Sequence, residues 1–488
     1  MITTLAFRHL VVRKLRSLFL LLGFSLGVGV MIVLLSVGEA MLAQSRDVSL
    51  VGGGEITVLP QGIDIEAMRT GGLSGMFFGI DRARFLTRQL LGGPRHRALV
   101  RVVSPSIEGK LLYLRRDQKV VPVRAGGDIP SRARGVGAGL ILHSGHWEDS
   151  PDDSAYITPT LQQLYDQLDH FHLPVTQDPS WGEWHYFNLV TSASEWWYIT
   201  YLVGGALSPN PEKSGRWGGR LLITHRSPNG RYERFTTEAP PQHVAFDTSK
   251  ADVRLGQSFV EQREGVYHLR ARVPSSRLTL DVHLTPAANR YFPPVELQDE
   301  AFVSGYVVPA LVATGKGRIC LRSRCTRFSG VPAYHDHNWG VWRDVTWEWG
   351  AARGSGLSFL YGGVYGPGRE DSVSGSSSGT SPFFLAVWDT LGVKQVLRFS
   401  QARYQGRRPA KGSSEARSPT AFGITATREA DSVHLNVRVA EALATDMSTA
   451  SFRRRFLQMR GDFHLRGRLL GETVAESGAG FFETYDLH

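Results

Sequence analysis

From about residue 181 to the C-terminus, short runs of aromatic and β-branched residues alternate with turn residues, and this pattern constrains the fold most. Runs such as "RLTLDVHLTP" and "VHLNVRVAEAL" alternate apolar and polar side chains, and Gly, Pro, Asn and Ser lie between the runs. Antiparallel sandwiches and barrels have this pattern. Long amphipathic helices are sparse, which argues against an α/β fold. We therefore expect a mainly β chain.

The chain has 488 residues, which is too long for one ordinary domain. Two tryptophan pairs, in "EWW" from Glu195 and in "WEW" from Trp347, each precede an apolar strand-like run. This repetition suggests two successive barrels of the same kind. The predicted segments are an anchor, a small α+β segment, a linker and the two barrels, at residues 1–38, 39–135, 136–180, 181–345 and 346–488.

The N-terminus carries an apolar run without charges, "SLFLLLGFSLGVGVMIVLLSV", from Ser17 to Val37. Its length matches the ~20 residues that a membrane-spanning helix needs. Basic residues precede it and Glu39 follows it, so the positive-inside rule predicts a cytoplasmic N-terminus. We therefore expect a single-pass protein of the inner membrane whose remaining residues are periplasmic. A cleaved signal peptide is the alternative interpretation.

The formal charge of +10 is concentrated in part at this basic N-terminus. Such a cluster favours contact with an anionic membrane surface. Elsewhere no dense basic stripe with interleaved aromatic residues occurs, so nucleic acid is not an expected partner.

Only two cysteines occur, Cys320 and Cys325, in "CLRSRC". In an oxidising compartment they can form a small local disulfide. The alternative is that they are two unpaired small residues. Two thiols alone do not make a metal site.

The stretch "SGVPAYHDHNWGVW", residues 329–342, concentrates polar and aromatic residues. On a strand, His335 and His337 project to one face and Asp336 to the other. Two histidines at this spacing can chelate zinc, but a catalytic zinc needs a third protein ligand, and the spacing supplies none. A histidine beside a carboxylate can instead transfer a proton near neutral pH, and a buried Asp336 can be an acid with a raised pKa. A hydrogen-bonded strand end is the third interpretation.

A second aromatic stretch, "EWWYITYL", also alternates between two faces. Trp196 and Tyr198 share one face of a strand, and Trp197 points to the other. One interpretation is barrel packing. The other is an electron-rich wall that binds a hydrophobic ligand and stabilises a cation over a ring face.

Together, "EWWYITYL", "AYHDHNWGVW" and the terminal "GAGFFETYDL" resemble the lipocalin-like family that contains hydroxyneurosporene synthase (carotenoid 1,2-hydratase) and the AttH-like proteins. The resemblance covers about residues 180–488. It implies two consecutive lipocalin-like antiparallel β-barrels.

The resemblance also implies residue roles and a reaction. Hydratases of this family add water to the terminal double bond of an acyclic carotene through a tertiary carbocation. The His and Trp of their H-N-W motif correspond to His337 and Trp339, and Asp336 is an alternative proton donor. The residues expected to contact a ligand are Trp196, Trp197, Tyr198, His335, Asn338, Tyr361 and Tyr365.

The N-terminal run and the "GGGEITVLPQG" that follows it resemble the first membrane helix and external domain of macrolide-exporter-type ABC permeases. Those permeases have three further membrane helices, which do not occur in this chain. The resemblance implies a membrane-anchored protein that assists an ABC export system.

Two functions therefore follow from the sequence. The first is a lipocalin-like protein that binds a lipid or terpenoid ligand beside ABC transporter subunits. The second is a hydratase of the carotenoid 1,2-hydratase type. A Tyr-x-Asp element of the hydratases is absent from "FLYGGVYGPG", and this absence favours the binding protein. Neither a metal nor another cofactor is expected.

Overall fold

The computed structural model divides into two units, residues 1–79 with 102–153 and residues 80–101 with 154–488. The residues that it describes are 14–46, 56, 58, 80–116, 119–136, 148–153, 160–172, 181–204, 218–299, 302–342, 346–365, 383–446 and 455–485. The described helices are α1 (Lys14–Arg46), α2 (Ile80–Gly92), α3 (Pro130–Gly135) and α4 (Leu161–Leu168). In the first unit, β1 (Ser106–Arg116) and β2 (Lys119–Asp128) form an antiparallel hairpin.

The N-terminal apolar run lies within α1. A run without charges is necessary for a membrane span but not sufficient, since the helix must be long and apolar throughout. Among the described residues, no helix has the length and apolar character that crossing a membrane requires. The prediction of a single-pass inner-membrane protein with an inside N-terminus and a periplasmic bulk is therefore wrong.

Most strands of the second unit belong to two antiparallel sheets, and the first sheet forms a nearly closed barrel. Its hydrogen-bonded order is β6-β5-β4-β3-β14-β13-β11-β10-β9-β8-β7, and β12 pairs with β13. These strands are β3 (Gly182–Ser192), β4 (Glu195–Gly204), β5 (Gly219–Arg226), β6 (Tyr232–Ala239), β7 (Val244–Phe246), β8 (Val253–Leu255), β9 (Ser258–Arg263), β10 (Val266–Val273), β11 (Leu278–Pro286), β12 (Phe292–Asp299), β13 (Phe302–Leu321) and β14 (Arg324–Trp342).

The second sheet forms a closed barrel. Its order is β18-β17-β16-β15-β25-β24-β23-β22-β19, and a pairing between β18 and β22 closes it. These strands are β15 (Thr346–Gly354), β16 (Ser358–Tyr365), β17 (Phe383–Asp389), β18 (Gly392–Phe399), β19 (Ala402–Gln405), β22 (Ala421–Arg428), β23 (Asp431–Asp446), β24 (Arg455–Leu469) and β25 (Glu472–Tyr485), while β20 (Arg408–Pro409) and β21 (Arg417–Ser418) pair separately. The prediction of a mainly β chain with two consecutive antiparallel β-barrels is confirmed.

The sequence forms barrels because the side chains of most strands alternate between a buried and an exposed face. In β11, Leu278, Leu280, Val282 and Leu284 are buried in the first barrel, and the residues between them are exposed. The same alternation in β23 fills the second barrel. The period of two therefore assigns each strand one apolar face.

Several strands depart from this alternation because the two barrels pack against each other. β17 is buried along nearly its whole length, and β4 is buried on both faces. The side chains between the barrels form a third apolar cluster, which we call the junction core. Its large members include Tyr186, Trp196, Tyr198, Tyr334, Trp349 and Phe481.

Residues 160–172, which we call the plug segment, contribute to the core of the first barrel. Thr160 caps α4 through a reciprocal pair of hydrogen bonds with Gln163. After the helix ends, Phe171 is 1% exposed within the barrel core, and its backbone N–H donates to the carbonyl of Lys250. The plug segment thus brings its polar residues to the barrel interior.

Cys320 and Cys325 pair directly across the hairpin of β13 and β14 and form a disulfide. Of the two interpretations of "CLRSRC", the structure contains the local disulfide. It joins the ends of the two strands that carry much of the first barrel.

The pairing of Gly305 with Trp339 leads to a stability prediction. A Cβ atom at Gly305 would overlap the Trp339 indole ring. We expect Gly305→Ala to lower the unfolding free energy by about 1–3 kcal/mol, because a packed ring must move. Denaturant unfolding measures this change. Gly423→Ala is the control, since its Cβ would meet the Asn436 side chain at 3.3 Å and the Leu435 carbonyl oxygen at 3.7 Å, without overlap. Equal losses in both variants would contradict the steric explanation.

Candidate functional site

Strand β14 presents its polar motif to two separate environments, because successive side chains of a strand point to opposite faces. His335 lies in the first barrel, where its ring stacks on Phe187 with centroids 4.1 Å apart, and His337 shares this face. Tyr334 belongs to the junction core, and its hydroxyl donates to Asp336. The structure therefore places His337 and Asp336 in two different environments, on the opposite strand faces that the alternation predicts.

On the barrel side, two histidines of β14 meet a carboxylate of the plug segment. Asp169 Oδ1 lies 2.5 Å from His337 Nδ1, and Asp169 Oδ2 lies 3.3 Å from His335 Nε2. Tyr267 donates its hydroxyl to the same Oδ2 at 2.6 Å. The three side chains Asp169, His335 and His337 are fully buried. We call Asp169, Glu183, His185, His335 and His337 the barrel cluster.

Two further members of the barrel cluster come from β3, which pairs with β14. The register places His185 opposite His337 and Glu183 opposite Trp339. His337 Nε2 lies 2.9 Å from Glu183 Oε1, which is an ion-pair distance. His337 therefore has a carboxylate beside each ring nitrogen.

This position between two carboxylates sets the charge of His337. Burial opposes its charged form, but Asp169 and Glu183 outweigh burial and raise the pKa of His337 to about 9. Burial also opposes ionisation of Asp169, and the neighbouring His337 and His185 nevertheless hold its pKa well below the usual range. At neutral pH, His337 is thus a buried cation and cannot act as a base.

The other two histidines of the barrel cluster have lowered pKa values and are therefore uncharged at neutral pH. Burial lowers the pKa of His335 and lowers that of His185 well below its usual value. His335 Nδ1 lies 3.1 Å from the Tyr186 carbonyl, and His185 Nε2 lies 2.8 Å from the Ala251 carbonyl. Each ring therefore uses one of its nitrogens for a hydrogen bond to a backbone carbonyl.

Trp339 lies at the rim of the barrel cluster. It stacks on His172 with centroids 3.8 Å apart, and its Nε1 donates to Glu296 at 3.1 Å. The backbone N–H of His172 donates to Glu183, so the plug segment also binds β3 here. Trp339 is only 2% exposed.

On the other face of β14, Asp336 lies in a hydrogen-bonded group that we call the junction cluster: Tyr186, Tyr334, Asp336, Trp349 and Glu483. Tyr334 donates to Asp336 Oδ2 at 2.8 Å, and Trp349 Nε1 donates to the Tyr334 hydroxyl at 3.1 Å. Asn338 donates to Asp336 Oδ1 at 2.7 Å. The cluster thus joins strands of both barrels.

The two carboxyl groups of the junction cluster hold protons near neutral pH. Burial raises the pKa of Asp336 to about 7, although hydrogen bonds from Tyr334 and Asn338 oppose the shift. Burial and the charge of Asp336 raise the pKa of Glu483 to about 8. Because they interact, the two groups titrate as a pair. Asp336 is 3% exposed, whereas Glu483 is partly exposed.

Aromatic rings surround this pair of carboxyls. Tyr186 stacks with Tyr198, at 6.1 Å between centroids, and Phe481 packs edge-on against Tyr334 at 4.6 Å. Tyr186 and Phe481 are buried, each with 8% of its surface exposed. The Trp196 ring packs on Arg226 and Arg460, whose guanidinium carbons lie 4.5 and 4.6 Å from its centroid.

The remaining predicted ligand residues lie elsewhere. Trp197 points into the first barrel and stacks on His225 at 3.7 Å. Tyr361 is fully buried inside the second barrel, where its ring lies parallel to that of Phe482. Tyr365 ends β16, and its side chain lies outside the described residues. The residues that were expected to contact a ligand therefore do not all lie in one site.

The second barrel also contains a buried carboxyl group, which the sequence analysis did not select. Burial raises the pKa of Glu348 to about 7. Tyr404 and Thr484 donate hydrogen bonds to its two oxygens.

Four residues of the two clusters were not predicted as site residues: Asp169, Glu183, His185 and Glu483. Glu183 and His185 alternate in "GEWHYF" as His335 and His337 do in β14, and that shared spacing was the available clue. Glu483 lies in the terminal motif used for the family resemblance. Nothing in the sequence around Asp169 marks it, because its hydrogen-bond partners Tyr267, His335 and His337 are 98 to 168 residues away.

No family model and no curated protein matches the chain. Among solved structures, CghA with Sch210972 is 9% identical, covers 66% of this chain and 94% of its own, and has a TM-score of 0.48. An AttH-like protein from Nitrosomonas europaea is 15% identical to this chain. The alignment covers 62% of this chain and 90% of that protein, with a TM-score of 0.41. Kievitone hydratase from Nectria haematococca is 11% identical to this chain. The alignment covers 62% of this chain and 88% of the hydratase, with a TM-score of 0.40.

Proposed function

We propose that the protein adds water to a carbon–carbon double bond of an apolar, terpenoid-like ligand at the junction cluster. The observation that supports this proposal most is the carboxyl of Asp336, whose pKa of about 7 lets it hold a proton beside an aromatic wall. A general acid works best when its pKa lies near the working pH. Apolar surroundings favour an uncharged alkene over competing polar substrates.

The reaction needs only one proton donor and one water molecule. Asp336 transfers its carboxyl proton to the less substituted alkene carbon, and a tertiary carbocation forms. The oxygen of water then bonds to this cation, and the carboxylate of Asp336 takes back a proton from the bound water. The ring faces of Tyr186, Tyr198 and Phe481 stabilise the cation electrostatically.

The resemblance to the lipocalin-like hydratases supports the same location. Each of its three motifs contributes to the junction: Trp196 and Tyr198, then Tyr334 and Asp336, then Phe481 with Glu483. In this proposal, Asp336 is the acid. His337 in the barrel cluster and Trp339 at its rim lie on the opposite face of β14, where they position β3, β14 and the plug segment.

Binding without turnover is the second candidate, and one contact favours it. The Trp196 ring already packs on Arg226 and Arg460, so it is less available to stabilise a carbocation. A ligand could then rest on the remaining aromatic wall without reacting. The accessory role in ABC export rests on the N-terminal resemblance alone and remains a prediction.

Incubation of the purified full-length protein with acyclic carotenes and shorter acyclic terpenes in heavy-oxygen water tests the proposal. We expect a tertiary alcohol that carries the heavy oxygen, detected by mass spectrometry. Ligand extracted from the purified protein identifies further alkenes to test. If these compounds bind with the same affinity to wild type and Asp336→Asn but none gains heavy oxygen, the hydratase proposal is wrong and the binding function replaces it.

A further inference from the structure

The barrel cluster contains a set of metal-binding side chains that hydration does not use. We infer that Asp169, His185 and His335 form a binding site for a divalent transition-metal cation such as Zn²⁺ inside the first barrel. One ligand atom from each residue lies within 4.8 Å of the others. All three residues are fully buried. A carboxylate and two imidazoles are a common zinc ligand set.

The hydrogen bonds of the two histidines leave one ring nitrogen of each available. A neutral imidazole has one N–H and one lone pair. The carbonyl of Ala251 accepts from Nε2 of His185, and Nδ1 has no hydrogen-bond partner among the described residues. The carbonyl of Tyr186 accepts from Nδ1 of His335. The lone pairs therefore remain on Nδ1 of His185 and Nε2 of His335.

The lone pair on Nε2 of His335 faces the Asp169 carboxylate. Two such electron-rich atoms can lie side by side when a proton or a metal cation lies between them. Nε2 of His335 lies 3.3 Å from Oδ2 of Asp169. A proton shared by a charged pair gives a distance of about 2.7–2.9 Å. Two ligand atoms that bind zinc at about 2.0–2.1 Å with a tetrahedral angle lie about 3.3 Å apart. The observed separation thus fits a metal ion better than a shared proton.

The surrounding contacts are those that orient metal ligands in proteins. Metal-bound histidines donate their other ring N–H to a carbonyl or carboxylate, and ligating carboxylates accept further hydrogen bonds. His185 and His335 have their carbonyl partners, and Asp169 has two neighbours of its own. These are the Tyr267 hydroxyl at 2.6 Å and His337 Nδ1 at 2.5 Å.

Such a metal ion would fasten the plug segment to the barrel wall. Asp169 is the C-cap residue of α4, whereas His185 and His335 lie on the paired strands β3 and β14. One cation would therefore join the plug segment to two paired strands, one of which lies about 150 residues further along the chain. Since metal binding to a folded site adds to the stability of the fold, removal of the metal lowers the unfolding temperature.

Metal binding is measured on the full-length protein after dialysis against a chelator. We expect it to take up about one Co²⁺ per chain, with the visible absorption of tetrahedral cobalt, and Zn²⁺ to displace it. The unfolding temperature should rise with either metal. If the chelated wild type binds no Co²⁺ or Zn²⁺ at micromolar concentrations, the inference is wrong, whatever the variants do.

Variants then locate the bound ion. His185→Gln and Asp169→Asn keep much of the side-chain volume, and we expect each to lose the cobalt absorption. His225→Gln is the matched control, because His225 is also buried on the first barrel with an unpartnered Nδ1 but lacks two neighbouring ligands. Near-ultraviolet circular dichroism shows which variants are folded.

An exposed cluster provides the alternative location. His268, Asp281 and His283 also lie close enough to hold a cation on the outer surface of the first barrel. If the double variant His268→Gln/His283→Gln loses the cobalt absorption and His185→Gln keeps it, the ion binds at this surface and the inference is wrong. We expect the reverse pattern.

Discussion

Asp336→Asn is expected to reduce the rate of alkene hydration about 10²–10⁴-fold, which is the usual contribution of a general acid. Asparagine keeps the shape of the carboxyl group and can still accept from Tyr334 and bond to Asn338. It has no proton to transfer. Substrate affinity should therefore change little while kcat falls, and steady-state kinetics of the wild type and the variant separates the two parameters.

The pH dependence of the wild type gives an independent readout of the same group. The reactive form of Asp336 is protonated, and its pKa is about 7. The value of kcat/KM should thus be constant at mildly acidic pH and fall as the pH rises through about 7. Asp462→Asn is the control, because Asp462 is an exposed aspartate. A variant Asp336→Asn with turnover close to that of the wild type, or a rate that increases with pH, would show that Asp336 is not the acid.

The location of the junction cluster explains how much of it the sequence could predict. A strand alternates its side chains, so the spacing alone placed His335 with His337 and Asp336 on the other face. The alternation also predicted the barrels, because it assigns an apolar face to most strands. Alternation does not indicate the identity of the helix or strand that packs against each face.

That identity depends on contacts between residues that are distant in sequence. Asp169 meets His337 because the plug segment enters the first barrel, and Glu483 approaches Asp336 because the two barrels pack together. Strand register between β3 and β14 brings His185 opposite His337. A single sequence has no pattern that fixes these pairings, so two of the three metal ligands, Asp169 and His185, and the second carboxyl were not predicted.

The predicted membrane anchor failed for a different reason. Hydropathy and flanking charge are properties of a linear segment, and they were the only basis for the location of the protein. The disulfide of Cys320 and Cys325, in contrast, follows from a tight hairpin that brings the two residues opposite each other. Local sequence spacing was informative there because the partners belong to neighbouring strands.

The unfolding free energy is expected to fall as the pH rises from about 6.5 towards 9. Four groups cause the decrease because each binds its proton more tightly in the folded state. The pKa of Asp336 and that of Glu348 rise from 3.8 and 4.5 to about 7, the pKa of Glu483 rises from 4.5 to about 8, and the pKa of His337 rises from 6.5 to about 9. Below these ordinary values, the groups are protonated in both states and their full contribution to stability is present.

Each group loses its contribution in a defined pH range. The folded protein holds more protons than the unfolded chain between about pH 4 and 8 for the three carboxyls and between about pH 6.5 and 9 for His337, so these groups make stability fall as pH rises. For Asp336 alone, a shift of about three pKa units corresponds to about 4 kcal/mol. Asp169, His185 and His335 act in the opposite direction: their lowered pKa values mean that stability is lost as the pH falls below the usual value of each group.

Chemical denaturation of the full-length protein at a series of pH values between 3 and 9 measures this profile. The double variant Asp336→Asn/Glu348→Gln should have a smaller slope between about pH 4 and 7, because neutral amides replace groups that the fold keeps protonated. Its slope between about pH 8 and 9 should match that of the wild type, since His337 titrates there and is unchanged. Asp462→Asn, at an exposed position, should leave both slopes as they are. If wild-type stability instead increases from pH 6.5 to pH 8, the buried carboxyls are ionised in the folded protein, and the proposed proton donor loses its basis.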